Sequence, residues 1–258
     1  MEATETYIVK DSINGIDISS IQGIIDARAI RSAGFDFVYI KSSQYSRIGD
    51  ASFSRNVDAC RSAGLVVGAY HFCAQDTDPE KQMNFFYRMS EGLGSKSGEL
   101  PPMIDWEFCT PSRYTDHPKH CVGWLEKAVK RATELWYPGN ASLQLAGRSP
   151  RLPTIYTFPV YAEVHQPMLG QSELGGYPLT YASYKVGKWL PNRGQMPLHK
   201  LPNPFQRALL WQYSGNGGYK VPGTAGDCDR QVFTGSSGEW KDFLGLERPV
   251  DSIVKDDK

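Results

Sequence analysis

The sequence predicts a single α/β domain, an irregular TIM-like barrel of strands wrapped in helices. Three observations carry that prediction. Apolar runs of strand length alternate with amphipathic helical stretches, glycines stop several helices just before the next run, and polar residues gather where the runs end. Alternation of this kind marks βα units with buried parallel strands. A chain of 258 residues can enclose one sizeable core. An open doubly wound sheet is the competing topology, but no glycine-rich phosphate loop follows any strand.

Residues 13–19 (Ile-Asn-Gly-Ile-Asp-Ile-Ser) form the first expected strand. A short helical pattern over 25–33 ends at Gly34, a residue suited to the left-handed C′ position. Residues 35–41 are a second, strongly apolar strand; Asp50 or Ser52 then caps a helix to Ala63, closed by Gly64. A third strand covers 65–72, and Pro79 opens a helix to about Glu91. The Gly/Ser-rich segment 92–100 leads into a fourth strand within 101–108, with Asp105 and Glu107 at its end. Thr115 or Asp116 is placed to cap the long helix opened by Pro118, whose Val122, Leu125, Val129, Ala132 and Trp136 recur at helical spacing. Strands five and six are expected at 152–158 and 178–184, with a broken helical pattern over 161–174 between them, and a last strong strand at 208–213. That makes seven strands, and the barrel reading places an eighth before Ala208. Residues 1–12 read as an N-terminal extension, 13–244 as the barrel and 245–258 as a charged tail.

Composition excludes several function classes. Twenty-eight basic residues balance 28 acidic ones, so no net field draws the chain to nucleic acid. No run reaches the ~18 apolar residues of a membrane span. The first 14 residues are mixed and acidic, unlike a secretory leader. The expectation is synthesis in the cytoplasm, with release by another route or assembly into a virion. Five cysteines lack metal-site spacing and read as reduced, partly buried thiols, with a disulfide pair as the alternative. His71 has no second histidine nearby, and His165 and His199 fall in expected loops, so neither a metal nor another cofactor is expected.

The chemistry concentrates at Asp105-Trp106-Glu107, where the fourth strand runs out. Period 2 sends both carboxylates to one side and Trp106 to the other. Paired acids repel, and the chemistry that uses such a pair most often is glycosidic cleavage, with one acid of raised pKa as proton donor. Glu107, with the longer reach, is the expected donor, and an ionised Asp105 beside it would raise its pKa. The bland alternative has one acid paired to a wall cation and the other capping a loop. In a parallel barrel, residues at the carboxyl ends of strands meet in one bowl. Asp17, Lys41, Tyr70, His71, Tyr184, Gln212, Tyr213 and Asp229 occupy that position or follow it closely. His71 reads more readily as a hydrogen-bonding wall residue than as a base. Trp211 and Tyr213 share a side of their strand with Gln212 opposite, so not all can face the bowl. No Gly-x-Ser-x-Gly elbow is present, which sets acyl transfer well below glycoside hydrolysis.

These blocks, taken in order, resemble the glycoside hydrolase family 25 lysozymes. The matching runs are Gly15-Ile16-Asp17-Ile18-Ser19, Phe37 to Lys41, Asp50 with Phe53 and Asn56, Gly68 to Phe72, Ile104-Asp105-Trp106-Glu107, Ile155 to Thr157, Leu179 to Tyr184, Leu210 to Tyr213, and Asp229 with Phe233. The resemblance implies an irregular α/β barrel, monomeric, acting on bacterial peptidoglycan between N-acetylmuramic acid and N-acetylglucosamine. It implies Glu107 as general acid and Asp105 as the carboxylate that assists the substrate's acetamido group, with Asp17 and Asp229 as supporting acids. Tyr70, His71, Tyr184, Gln212, Tyr213 and Tyr45 are the expected substrate contacts. One departure stands out: where the family shows Lys-Ala-Thr-Glu-Gly, this chain has Lys41-Ser42-Ser43-Gln44-Tyr45, which reshapes one wall of the groove. A silent glycan-binding or phage structural module, and a hydrolase of another N-acetylated glycan such as chitin, are the alternatives.

Overall fold

A computed structural model describes residues 11–108, 117–145, 150–184, 200–215 and 220–246. Strands β1 (Ile13–Ile18), β2 (Phe37–Gln44), β4 (Val66–Phe72), β5 (Met103–Asp105), β6 (Thr154–Thr157), β7 (Leu179–Ala182), β8 (Leu210–Ser214) and β9 (Asp229–Phe233) form a closed ring; a two-residue strand, β3 (Ile48–Gly49), hangs on β2 as a hairpin. The ring closes through the parallel pairing of β1 with β2. Helices α1 (Ala27–Ser32), α2 (Phe53–Ser62), α3 (Pro79–Met89), α4 (His117–Trp136), α5 (Asn140–Leu145), α6 (Pro159–Leu169) and α7 (Ser237–Phe243) complete the chain order.

The barrel is mixed, which corrects the all-parallel expectation. β9 runs antiparallel to both neighbours, β1 and β8. It supplies the eighth strand after Ala208 rather than before it; residues 200–209 contain no strand, and 185–199 lie outside the described residues. Its sequence, Asp-Arg-Gln-Val-Phe, hides a buried strand because only its last two residues are apolar.

Period 2 sorts the side chains into two layers. Val38 and Ile40 face outward into the main core between strands and helices, with Ile16, Ile18, Val67, Ala69, Ile104 and Ile155. Phe37, Tyr39, Met103, Tyr156, Leu210 and Phe233 belong to a separate cluster filling the barrel. Such large rings fit because two strands give way. A Cβ on Gly15 would sit 2.1 Å from the Phe37 ring, and one on Gly68 2.8 Å from the Tyr39 ring. Helix α7 packs on the barrel cluster, with Trp240 5.5 Å from the Phe37 ring and 5.0 Å from that of Phe233. Ser236 and Glu239 close its first turn as a capping box.

The expected helices form, with shifted ends. Asp78 caps α3 by accepting from the Lys81 amide, and Pro79 takes the first position. Asp50 does not cap α2; it accepts from the Ser52 and Ser20 amides and so ties the β2–α2 and β1–α1 connections together. The expected caps of α4, Thr115 and Asp116, lie outside the described residues. The all-reduced reading of the cysteines fails at Cys121, which is disulfide-bonded, while Cys60, Cys73 and Cys228 are free thiols. Cys109 lies outside the described residues. No helix among the described residues is long and apolar enough to cross a membrane.

Candidate active site

Because seven of the eight barrel strands point the same way, their carboxyl ends open on one bowl. Its wall consists of Asp17 from β1, Lys41 from β2, Tyr70 and Phe72 from β4, Met103 and Asp105 from β5 with Glu107 just beyond, Tyr156 from β6, Gln212 from β8 and Asp229 from β9. All four acids singled out in the sequence therefore share one cavity. Trp106 points the other way, fully buried against Tyr161 and His165 of α6, as period 2 requires.

Asp17 is the most firmly held of the four. Its Oδ2 accepts from Gln212 Nε2 at 2.8 Å and from Gln231 Nε2 at 2.6 Å. Gln212 is oriented in turn by two phenols, Tyr156 and Tyr184, whose hydroxyls donate to its Oε1. Asp17 and Asp229 face each other in register across β1 and β9. Burial, and then the Asp229 charge, push Asp17 well above the usual carboxylate range. Burial raises Asp229 to about 6, opposed by its hydrogen bond with Asp17 and by Arg230.

Asp105 is 6 % exposed, and its Oδ1 has no hydrogen-bond partner among the described residues. Burial raises its pKa strongly, followed by the Glu107 charge, and Lys41 opposes both. Glu107 is pushed up to about 7 by burial and then by Asp229, with Lys41 again opposing. Asp105 and Glu107 repel each other as the sequence suggests, and Asp229 across the bowl adds to the rise of Glu107. Among the described residues that line the cavity, Lys41 is the one cation. Its Nζ donates to Gln44 Oε1 at 2.5 Å and lies 5.2 Å from the Phe72 ring centre. A bowl with four carboxyls, one lysine and a proton retained on Glu107 near neutral pH is equipped for general acid catalysis.

Of the expected contact residues, Tyr70 and Gln212 line the cavity, and Tyr184 stands at its edge on Gln212. His71 and Tyr213 do not reach it. His71 is fully buried on the outer face of β4, stacked on Phe86. Gln82 Oε1, already accepting from the Ala74 amide, receives the His71 Nε2 proton, so Ser43 donates to Nδ1. Burial lowers that imidazole to about 4 and keeps it neutral. Tyr213 packs with Trp211 and Val232 on the side of β8 opposite Gln212. Tyr45 sits beyond the strand end with its ring edge-on to Phe72.

Lys41 lines the bowl as its place at the end of β2 suggests, and the structure adds Phe72, Met103, Tyr156 and Gln231 to the site. Alternation pointed to three of them: Phe72 shares a face with Tyr70, Met103 with Asp105, and Gln231 with Asp229. His165 lies in α6, not in a loop. With His117 and Cys121 it groups three donor atoms within 4.8 Å. Metal ligation uses a thiolate, and the Cys121 sulfur is committed to a disulfide. His199 lies outside the described residues.

Comparison with known proteins agrees with this geometry. Lysozyme M1 of Streptomyces globisporus is 28% identical over 226 residues, covering 87% of this chain and 69% of its own. The N,O-diacetylmuramidase of Arthroderma benhamiae is 26% identical over 209 residues, covering 80% of each chain. The crystal structure of a bacterial lysozyme from Streptomyces coelicolor superposes with a TM-score of 0.72 at 26% identity, covering 91% of this chain and 98% of the other. The model of the glycosyl hydrolases family 25 matches residues 16–221, which include Asp17, Asp105 and Glu107. The chain belongs to glycosyl hydrolase family 25 and is a glycosidase.

Proposed function

We propose that the enzyme is a lysozyme, hydrolysing the β-1,4 bond between N-acetylmuramic acid and N-acetylglucosamine in peptidoglycan, with Glu107 as general acid. The observation that carries this reading is the raised Glu107 carboxyl, which holds its proton up to about pH 7 in a bowl lined by three further acids. The names borne by the relatives, lysozyme and N,O-diacetylmuramidase, support the same substrate class.

Glu107 gives its proton to the glycosidic oxygen as the bond to the anomeric carbon breaks. The 2-acetamido carbonyl oxygen of the substrate closes on that carbon. Asp105 accepts the acetamido N–H, through the Oδ1 that lacks a partner among the described residues, and stabilises the positive charge that builds on the amide. Water then opens the ring, surrendering its proton to the Glu107 carboxylate and restoring the acid. Asp17 and Asp229 shape the field of the bowl, and Tyr70, Gln212 and Tyr184 line the substrate path. The wall outside the reducing cytosol is the proposed place of action, whether the protein is released or virion-borne. The disulfide at Cys121 supports an oxidising setting.

Glu107→Gln keeps the shape and removes the proton, so turnover of purified peptidoglycan should fall by at least ~10²-fold while glycan binding is retained. Asp105→Asn should lower kcat comparably. Full activity in Glu107→Gln would remove Glu107 from the acid role.

A further inference from the structure

Tyr45 is held in an unusual backbone conformation. Its φ is +54°, in the left-handed region that side chains other than glycine, asparagine and aspartate rarely adopt. Its amide is fixed by donation to the Phe72 carbonyl at 3.0 Å. Non-glycine residues persist there when the surroundings enforce it, and such positions cluster at ligand sites. The conformation brings the half-buried Tyr45 ring to 6.1 Å from Phe72, nearly perpendicular. On the other flank Phe108, 44% exposed, lies 6.3 Å from Phe72 and tilted 30° to it. Three rings from three segments thus cluster around Phe72, which carries the Lys41 ammonium 5.2 Å from its ring centre and also lines the bowl beside Asp105 and Glu107.

We propose that Tyr45, Phe72 and Phe108 form a sugar subsite that takes the apolar face of a hexosamine ring next to the cleaved bond. The inference rests on the glycan-hydrolase reading above and deepens it. A pyranose ring presents its C–H bonds on one face and its hydroxyls at the rim. An aromatic surface with an exposed edge beside a polar bowl suits that division. Continuity through Phe72 sets the occupant: a ring resting on this wall belongs to the same strand whose linkage lies over Glu107. No hydrogen bond in the fold uses the Tyr45 side chain among those described, and its backbone conformation is one a glycine would adopt without cost.

The test uses Glu107→Gln protein, expected to bind glycan without turning it over, and peptide-free glycan strands of four and six sugars, with binding followed by calorimetry. With Tyr45 and Phe108 intact, the longer strand should bind more tightly. Adding Tyr45→Gly, or separately Phe108→Ala, should remove most of that gain, weakening the longer strand by about five- to tenfold. In the active enzyme the loss should appear in KM rather than kcat. The Tm of Tyr45→Gly should stay within a few degrees of the parent, as glycine relieves the left-handed strain. Unchanged affinities in both variants would overturn the subsite. An effect confined to peptide-bearing strands would assign the wall to the stem peptide and also overturn it. Failure of the Glu107→Gln protein to bind either strand would instead remove the glycan reading itself, and the inference with it.

Discussion

Replacing Glu107 by glutamine should make the folded protein more stable at alkaline pH and leave it about equally stable in acid. The folded protein holds the Glu107 proton up to about pH 7, whereas the ordinary value is 4.5. A carboxyl raised on folding favours the native state fully below its unfolded pKa, and that favour is lost as pH rises through the folded value. At 1.36 kcal/mol per pH unit, the difference between 4.5 and about 7 is about 3 kcal/mol. This is a ceiling, because Asp229 and Asp105 titrate together with Glu107 and share the cost. Glutamine keeps the length and cannot ionise, so it removes this leg of the pH dependence. Urea unfolding followed by tryptophan fluorescence, at roughly pH 4 and pH 8.5, measures the contrast. The expected result is a variant about 2–3 kcal/mol more stable than wild type at the higher pH and nearly equal at the lower. An equal difference at both values, or a variant destabilised at the higher one, would refute the reasoning. The catalytic acid would then not be the group strained by the bowl.

Other expectations follow from the same geometry. The activity of wild-type enzyme should fall as pH rises past about 7, as Glu107 loses its proton; kcat/KM against pH measures this limb. Lys41→Met removes the cation that opposes the rise of Asp105 and Glu107, so the same limb should move to higher pH, and an unmoved limb would exclude the coupling. Gly15→Ala would press a Cβ to 2.1 Å from the Phe37 ring in the barrel interior and should cost about 3 kcal/mol in urea unfolding. Gln212→Leu takes a donor from Asp17 and the shared acceptor from Tyr156 and Tyr184; activity should fall with little change in secondary structure by circular dichroism.

Seven strands were legible because apolar and aromatic residues dominate most of them and a polar residue closes several, as strands buried on both sides require. β9 was not, because it enters the site: Asp229 and Gln231 face the bowl and Arg230 is buried on the other side. Polar function replaced the apolar pattern that marks a strand. The four acids were legible from their places at or after strand ends. Strand alternation itself separates two of the expected contacts, His71 and Tyr213, from the bowl. Tyr70 and His71 are adjacent on β4, as are Gln212 and Tyr213 on β8, so only one of each pair can face the bowl. The structure gives the bowl Tyr70 and Gln212. Burial depth, which decides both the Glu107 pKa and the neutrality of His71, arises from contacts between distant segments and leaves no local mark. The disulfide at Cys121 was equally hidden, since the spacing of five cysteines does not set a connectivity.

The central claim, that this bowl cleaves muramoyl linkages through Glu107, is tested most directly by the new reducing ends it creates. Purified peptidoglycan digested with wild type and with Glu107→Gln, reduced with borohydride and analysed by mass spectrometry, identifies the sugar at each cut. The account predicts fragments ending in reduced N-acetylmuramic acid from the wild type and intact strands from the variant. Fragments ending in reduced N-acetylglucosamine, equal digestion by both proteins, or intact strands from both would contradict it.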